Sequence, residues 1–151
     1  MKRLLVEHLP FSLVIGIIGW LAGGGWHCVP FALATGWCID ADHLYDFGFY
    51  WLRHRKNTDW SMIRSGEYFN KNAKIFVPLH SWELSLILLI GLGFFTQNWI
   101  LSVTTAAAHI THLIQDIRTY HVKILGYSFI SRAFNAFEQK GFCSPKVSKI
   151  I

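Results

Sequence analysis

Aspartate and histidine recur along this chain in small groups at the ends of apolar stretches. The groups are His8, then Asp40-Ala41-Asp42-His43, then His80, then His109-Ile110-Thr111-His112 with Asp116. An unpaired charge in apolar surroundings is costly, so such residues most often bind one another or a metal ion. Residues three, four and seven apart share one face of a helix. By that rule Asp40 pairs with His43, Asp42 with Asp46, and His109, His112 and Asp116 form one stripe. Two helices that each aim two or three such groups inward can build a metal site in a bundle core. Mixed imidazole and carboxylate donors suit Zn, with Mn or Fe as alternatives, in one or two ions; Ca and Mg prefer shells made of oxygen alone. The candidate ligands are His8, Asp40, Asp42, His43, His80, His109, His112 and Asp116. His109 has a second reading, as a partner that orients a ligand. Asp46 and Glu83 read as polar contacts, and His27, His54 and His121 as solvent- or headgroup-facing side chains.

The elements that must position these groups are read as helices. The 151 residues are enough for a single domain, and they are 52% hydrophobic and 15% charged, with a mean hydropathy of +0.32. That balance is too apolar for an ordinary soluble domain. Apolar stretches over residues 9–26, 28–51, 76–95 and 98–117 approach the roughly 20 residues that cross a bilayer. The expectation is therefore all-α: an integral membrane bundle of about four transmembrane helices with a cytoplasmic loop between the second and third. A tail over residues 118–151 carries Tyr127, Ile130, Phe134 and Phe137 at helical spacing, as in an amphipathic helix lying in the interface.

Basic residues fall in the N-terminus, in the loop from Arg53 to Lys74 and in the tail, whereas the turns near residues 23–25 and 97–98 hold none. With short cytoplasmic loops rich in Lys and Arg, this places both termini in the cytoplasm of a bacterial inner membrane. The net charge of +5 is then a topological bias, and nucleic acid is not an expected partner. Met1-Lys2-Arg3 before an apolar run has the outline of a signal peptide, but Glu7, His8 and Pro10 interrupt it, and the segment reads as the first helix. Cys28, Cys38 and Cys143 lack paired metal-type spacing and read as small apolar side chains. No serine or cysteine stands in a nucleophile setting, apart from Ser81 beside His80.

The motifs Glu7-His8-Leu9, Ile39-Asp40-Ala41-Asp42-His43, His80-Ser81-Trp82-Glu83-Leu84 and His109-Ile110-Thr111-His112-Leu113-Ile114-Gln115-Asp116 resemble, in that order, the YdjM-like family of membrane-bound metal-dependent hydrolases. The chain differs from the family pattern at Ile39, where the family has proline, and at Ile75, where it has an upstream histidine. The resemblance implies a hydrolase in which metal activates water, with Asp40, His80 and Asp116 as catalytic candidates. Membrane lipids as surroundings, and an amphiphilic or lipid-linked phosphate as substrate, go with it; a homo-oligomer is left open. Arg53, Arg55, Arg118 or Arg132 could hold an anionic head. Two alternatives remain. One is a non-catalytic protein pinned by a structural metal. The other is a metal or proton transporter, which the apolar stretches 13–21 and 86–95 disfavour.

Overall fold

The computed structural model describes residues 8–54, 59, 61–62, 74–120 and 122–142. Helix α1 spans Leu9–Gly19, with Pro10 in its first turn, where a missing N–H removes no hydrogen bond. It continues into a π-helical turn, Trp20–Gly24, in which Gly23 takes φ 97°, a conformation open to glycine. Helix α2, Cys28–Trp37, passes through a 3-10 turn, Cys38–Asp40, into α3, Ala41–His54. Helix α4, Trp82–Thr96, starts at Ser81, whose hydroxyl accepts from the Leu84 N–H at 3.2 Å. Ser81 thus serves as an N-cap. Helix α5, Trp99–Tyr120, starts where Asn98 Oδ1 accepts from the Leu101 N–H at 2.9 Å. A 3-10 turn, Ile124–Tyr127, and two short helices, α6 (Phe129–Phe134) and α7 (Gln139–Phe142), follow. Among the described residues the fold is all-α, with a single isolated bridge between Lys74 and Glu138.

Helix α5 is the hub. Helices α1, α2 and α4 all pack on it, and α1 and α2 pack on each other. Small residues permit this: a Cβ on Gly36 would collide with the Ser12 hydroxyl, and one on Gly16 would stand 2.8 Å from Val29 Cα. The buried Ser12, Ala32, Thr105 and Ala108 fill the same seam. At the other end of α5 an apolar core joins Ile39, Ile75, Val77, Leu113, Tyr127 and Phe142. Fully buried side chains such as Leu113 and Val77 each contribute about 2 kcal/mol.

The membrane-spanning reading is overturned. No helix among the described residues is both long and apolar enough to cross a membrane. Helices α1, α2, α3 and α4 have 11, 10, 14 and 15 residues, short of the roughly 20 required. The stretch 28–51 is broken at Trp37, whose φ of −129° and ψ of −45° interrupt the helix. Helix α5 has 22 residues, but its second half carries His109, His112, Gln115, Asp116 and Arg118. The transmembrane bundle, the inner-membrane localisation and the assignment of both termini to the cytoplasm are therefore withdrawn. The high hydropathy has another source: apolar side chains on the outer faces of short helices, such as Phe11, Val14 and Ile18 on α1 and Ile87, Ile90 and Phe94 on α4, are exposed.

The tail is not one interfacial amphipathic helix either. It is broken into three short pieces, and they bury Tyr127, Arg132 and Phe142 against the helices. Glu83 holds it in place: its carboxylate accepts from the Ser128 hydroxyl at 2.7 Å and from the Phe129 N–H at 2.9 Å, at the start of α6. Most of the loop between Arg53 and Lys74, together with Glu7, His121 and Cys143, lies outside the described residues.

Candidate metal centre

Four side chains from three segments converge on one point between α2, α5 and the residues before α4. The 3-10 turn supplies Asp40, the residues ahead of the Ser81 cap supply His80, and successive turns of α5 supply His112 and Asp116. The donor atoms stand close together. His80 Nε2 is 3.1 Å from His112 Nε2, 3.3 Å from Asp40 Oδ1 and 3.5 Å from Asp116 Oδ2. His112 Nε2 is 3.5 Å from Asp40 Oδ1 and 3.2 Å from Asp116 Oδ2. Each residue offers one ligand atom, and the group could hold a metal ion.

The tautomers follow from the far sides of the two rings. His112 Nδ1 donates to the Gly36 carbonyl at 3.0 Å, and His80 Nδ1 donates to Asp42 Oδ2 at 3.1 Å. Each neutral ring therefore turns the lone pair of Nε2 toward the centre. Two such lone pairs at 3.1 Å repel, so the approach demands positive charge between them, as protons or as a metal ion. Asp42 is itself fixed by the Leu79 N–H, which donates to Oδ2 at 2.9 Å. A carboxylate behind a histidine, orienting its ring, is a recurrent feature of metal centres.

Without a metal, protons fill the role. Burial disfavours a charged His112, but Asp116 and Asp40 outweigh it and push its pKa up to about 9. His80 is likewise raised well above its ordinary value, against burial, by Asp116, Asp40 and Asp42. Burial works against ionised Asp40 and Asp116 too, yet the two imidazoles that donate to them hold both carboxyls well below the usual range. The metal-free cluster thus sets positive charge on the facing imidazoles against two carboxylates. A divalent ion brings positive charge to the same point.

Asp42, His43 and His80 form a second group that could hold a metal ion, sharing His80 with the first, and the remaining sequence candidates lie around this centre. His8 sits at its edge, with Nε2 3.5 Å from Asp116 Oδ1, Nδ1 donating to Gln115 Oε1 at 3.0 Å, and its ring 4.2 Å from that of His112. Burial and then the charge of His112 lower its pKa. His43 lies on the solvent side, its Nε2 3.5 Å from Asp40 Oδ1 and its side chain 32% exposed. His109 is turned away from the cluster. Its Nε2 donates to the Leu79 carbonyl at 2.9 Å and its Nδ1 accepts from the Ser85 hydroxyl at 2.7 Å. Burial lowers its pKa to about 4, so it stays neutral while holding α5 to the start of α4. Asp46 lies one turn beyond Asp42 and accepts from the Phe76 N–H at 2.9 Å.

Three contributors have no signature in the sequence. The Tyr127 hydroxyl donates to Asp116 Oδ2 at 3.2 Å. Arg132, which the sequence offers as a holder of an anionic head, is buried instead and donates to the carbonyls of Val77 at 2.9 Å and His80 at 2.8 Å. Gly36 contributes through its carbonyl alone. Their partners lie 11 to 76 residues away along the chain, set by packing and not by spacing. A scan against protein-family models, a search of curated proteins and a search of solved structures each find no match to this chain.

Proposed function

We propose that His80, His112, Asp40 and Asp116 hold one divalent transition ion, zinc ahead of manganese or iron, and that the protein is a metal-dependent hydrolase of phosphoesters. One observation carries the metal: the donor separations of 3.1–3.5 Å. A tetrahedron with zinc-to-ligand bonds of ~2.0 Å has edges of roughly 3.3 Å. Two nitrogens and two carboxylate oxygens are a zinc-type donor set, whereas manganese favours six oxygen-rich positions. The hydrolase reading accords with the resemblance of the four motifs to the YdjM-like family.

When bound, such an ion supplies Lewis acidity and a water of lowered pKa. The chain's own groups divide the remaining work. Asp40 is the most open of the four, its side chain 15% exposed against 0–6% for the others, so substrate would approach on its side. Its Oδ2 is buried and has no hydrogen-bond partner among the described residues, leaving an acceptor for an incoming hydroxyl or water. His43, beside Asp40 and partly exposed, is kept neutral by burial and then by the charge of His80, which lower its pKa to about 4, and it lines the side on which substrate would approach. Asp42 and the Gly36 carbonyl keep the two ligand rings in register.

A structural role for the ion is the second reading, because four protein donors can close a tetrahedral shell, whereas catalysis needs an exchangeable position. The deciding experiment measures bound metal by elemental mass spectrometry, then turnover of p-nitrophenyl phosphate and bis-p-nitrophenyl phosphate, then the melting temperature with and without chelator. Near-stoichiometric metal, with turnover lost on chelation, is expected. Bound metal and a chelator-sensitive melt without turnover would leave the structural pin. A protein that folds but takes up no Zn or Mn would dispose of both.

A further inference from the structure

A second polar feature lies on α3, away from the cluster. A cavity of about 310 Å3 opens beside residues that include Asp46, Arg53, Lys74, Tyr45, Phe49 and Phe76, and none of the four proposed metal ligands lines it. Its two ends differ in charge and in depth. Asp46 is 2% exposed, and its Oδ2 is buried without a hydrogen-bond partner among the described residues, while Oδ1 is occupied by the Phe76 N–H. Arg53 and Lys74 are exposed. Arg53 enters no ion pair among the described residues, and Lys74 has part of its charge facing Glu138. Between these ends the walls are aromatic, with Tyr45 edge-on to Phe49 at 4.8 Å between ring centroids and 5.9 Å from Phe76.

We propose that this cavity binds an aminoalkyl phosphate, its ammonium against Asp46 and its phosphate against Arg53 and Lys74. A buried carboxylate oxygen lacking a partner is costly and calls for a donor, and a positively charged donor answers both its charge and its lone pairs. Aromatic faces around that position favour a cation. A cation alone would be repelled by the two basic side chains at the mouth, so the ligand must carry an anionic group as well. A phosphate matches the guanidinium fork of Arg53. Asp46 and Arg53 are seven residues apart, two turns of one helix face, or about 10 Å of rise. An ammonium and a phosphate joined by two carbons, each reaching its partner by a hydrogen bond, span that interval. The same chemistry is found in a free aminoalkyl phosphomonoester and in the headgroup of a phosphodiester.

The test is isothermal titration calorimetry on the full chain with phosphoethanolamine and glycerophosphoethanolamine, against ethanolamine and inorganic phosphate alone. One of the two zwitterions is expected to bind at one site at least about tenfold more tightly than either fragment, and the stronger of the pair tells the free ester from the headgroup. Asp46→Asn keeps the acceptor for the Phe76 N–H, and Arg53→Gln alters an exposed side chain, so both variants retain the fold; each is expected to weaken binding at least about tenfold. Equal binding of phosphate alone, indifference to both variants, or no saturable heat with either zwitterion would each overturn the proposal. The cavity and the metal cluster share no residue, so this outcome and that of the metal test are read separately.

Discussion

His80 and His112 face each other Nε2 to Nε2 at 3.1 Å, each with its far nitrogen anchored to an acceptor, Asp42 for one and the Gly36 carbonyl for the other. The pair comes from two separate stretches of chain, and neither ring can turn its proton-bearing nitrogen inward without abandoning a buried partner. The cluster is therefore committed to binding positive charge.

Removing either ring should abolish metal binding, whereas removing the carboxylate behind His80 should only weaken it. His80→Ala and His112→Ala are expected to purify without metal. Asp42→Ala should retain metal with affinity lowered about 10- to 100-fold, the usual cost of losing a group that orients a ligand. Competition with a fluorescent chelator measures all three. Asp42→Ala indistinguishable from the wild type would show that the orientation of His80 does not depend on it.

Metal uptake should be coupled to proton release. In the metal-free protein His112 titrates at about 9 and His80 is raised as well, and both must give up their Nε2 protons to a metal. Because these pKa values are raised, protons compete with the metal through the neutral range, and His112 gives its proton up only as the pH climbs toward 9. Apparent metal affinity should therefore increase steadily from pH 6 to pH 9. Calorimetry in buffers of different ionisation enthalpy would count the protons released, and a flat affinity over that range contradicts the assignment.

Arg132 should matter more for stability than its place in a short surface helix implies. Its guanidinium donates to two backbone carbonyls in the segment that carries His80, and hydrogen bonds to charged groups contribute about 1.5–3 kcal/mol each. Arg132→Met is expected to lower the unfolding free energy by about 2–4 kcal/mol in urea titration. Arg132→Lys should recover only part of this, because an ammonium cannot reproduce the planar fork that reaches both carbonyls. A loss below about 0.5 kcal/mol for Arg132→Met would mean that the Val77 and His80 carbonyls are satisfied by other groups.

Gly36 links the helix seam to the metal centre. A methyl group there would run into the Ser12 hydroxyl, and overpacking of this kind costs about 1–3 kcal/mol. Since the Gly36 carbonyl also anchors His112, Gly36→Ala should reduce metal affinity along with stability. Gly48 makes a suitable control, because a Cβ there meets nothing within 4 Å. Equal behaviour of Gly36→Ala and Gly48→Ala in thermal melts would refute the close approach of α1 and α2.

Residue type and spacing by themselves determined that this chain is helical and that His80, His112, Asp40 and Asp116 are metal-type donors. Helical periodicity and the cost of isolated charge are local properties, legible without neighbours. The same local logic failed on the membrane, because hydropathy counts apolar residues without knowing whether a helix continues: the π-helical turn after Gly19, the break at Trp37, the start of α4 only at Trp82 and the polar second half of α5 each shorten one apolar run. Only the tertiary structure decided which of the eight candidates share one point. That choice depends on which acceptor each ring finds across the fold: the Gly36 carbonyl turns His112 inward, and the Leu79 carbonyl and Ser85 turn His109 away, although both histidines lie on one helix three residues apart. Long-range hydrogen bonds of this kind, like those of Tyr127 and Arg132, leave no periodic trace in a sequence, because their partners are set by packing and not by spacing along the chain.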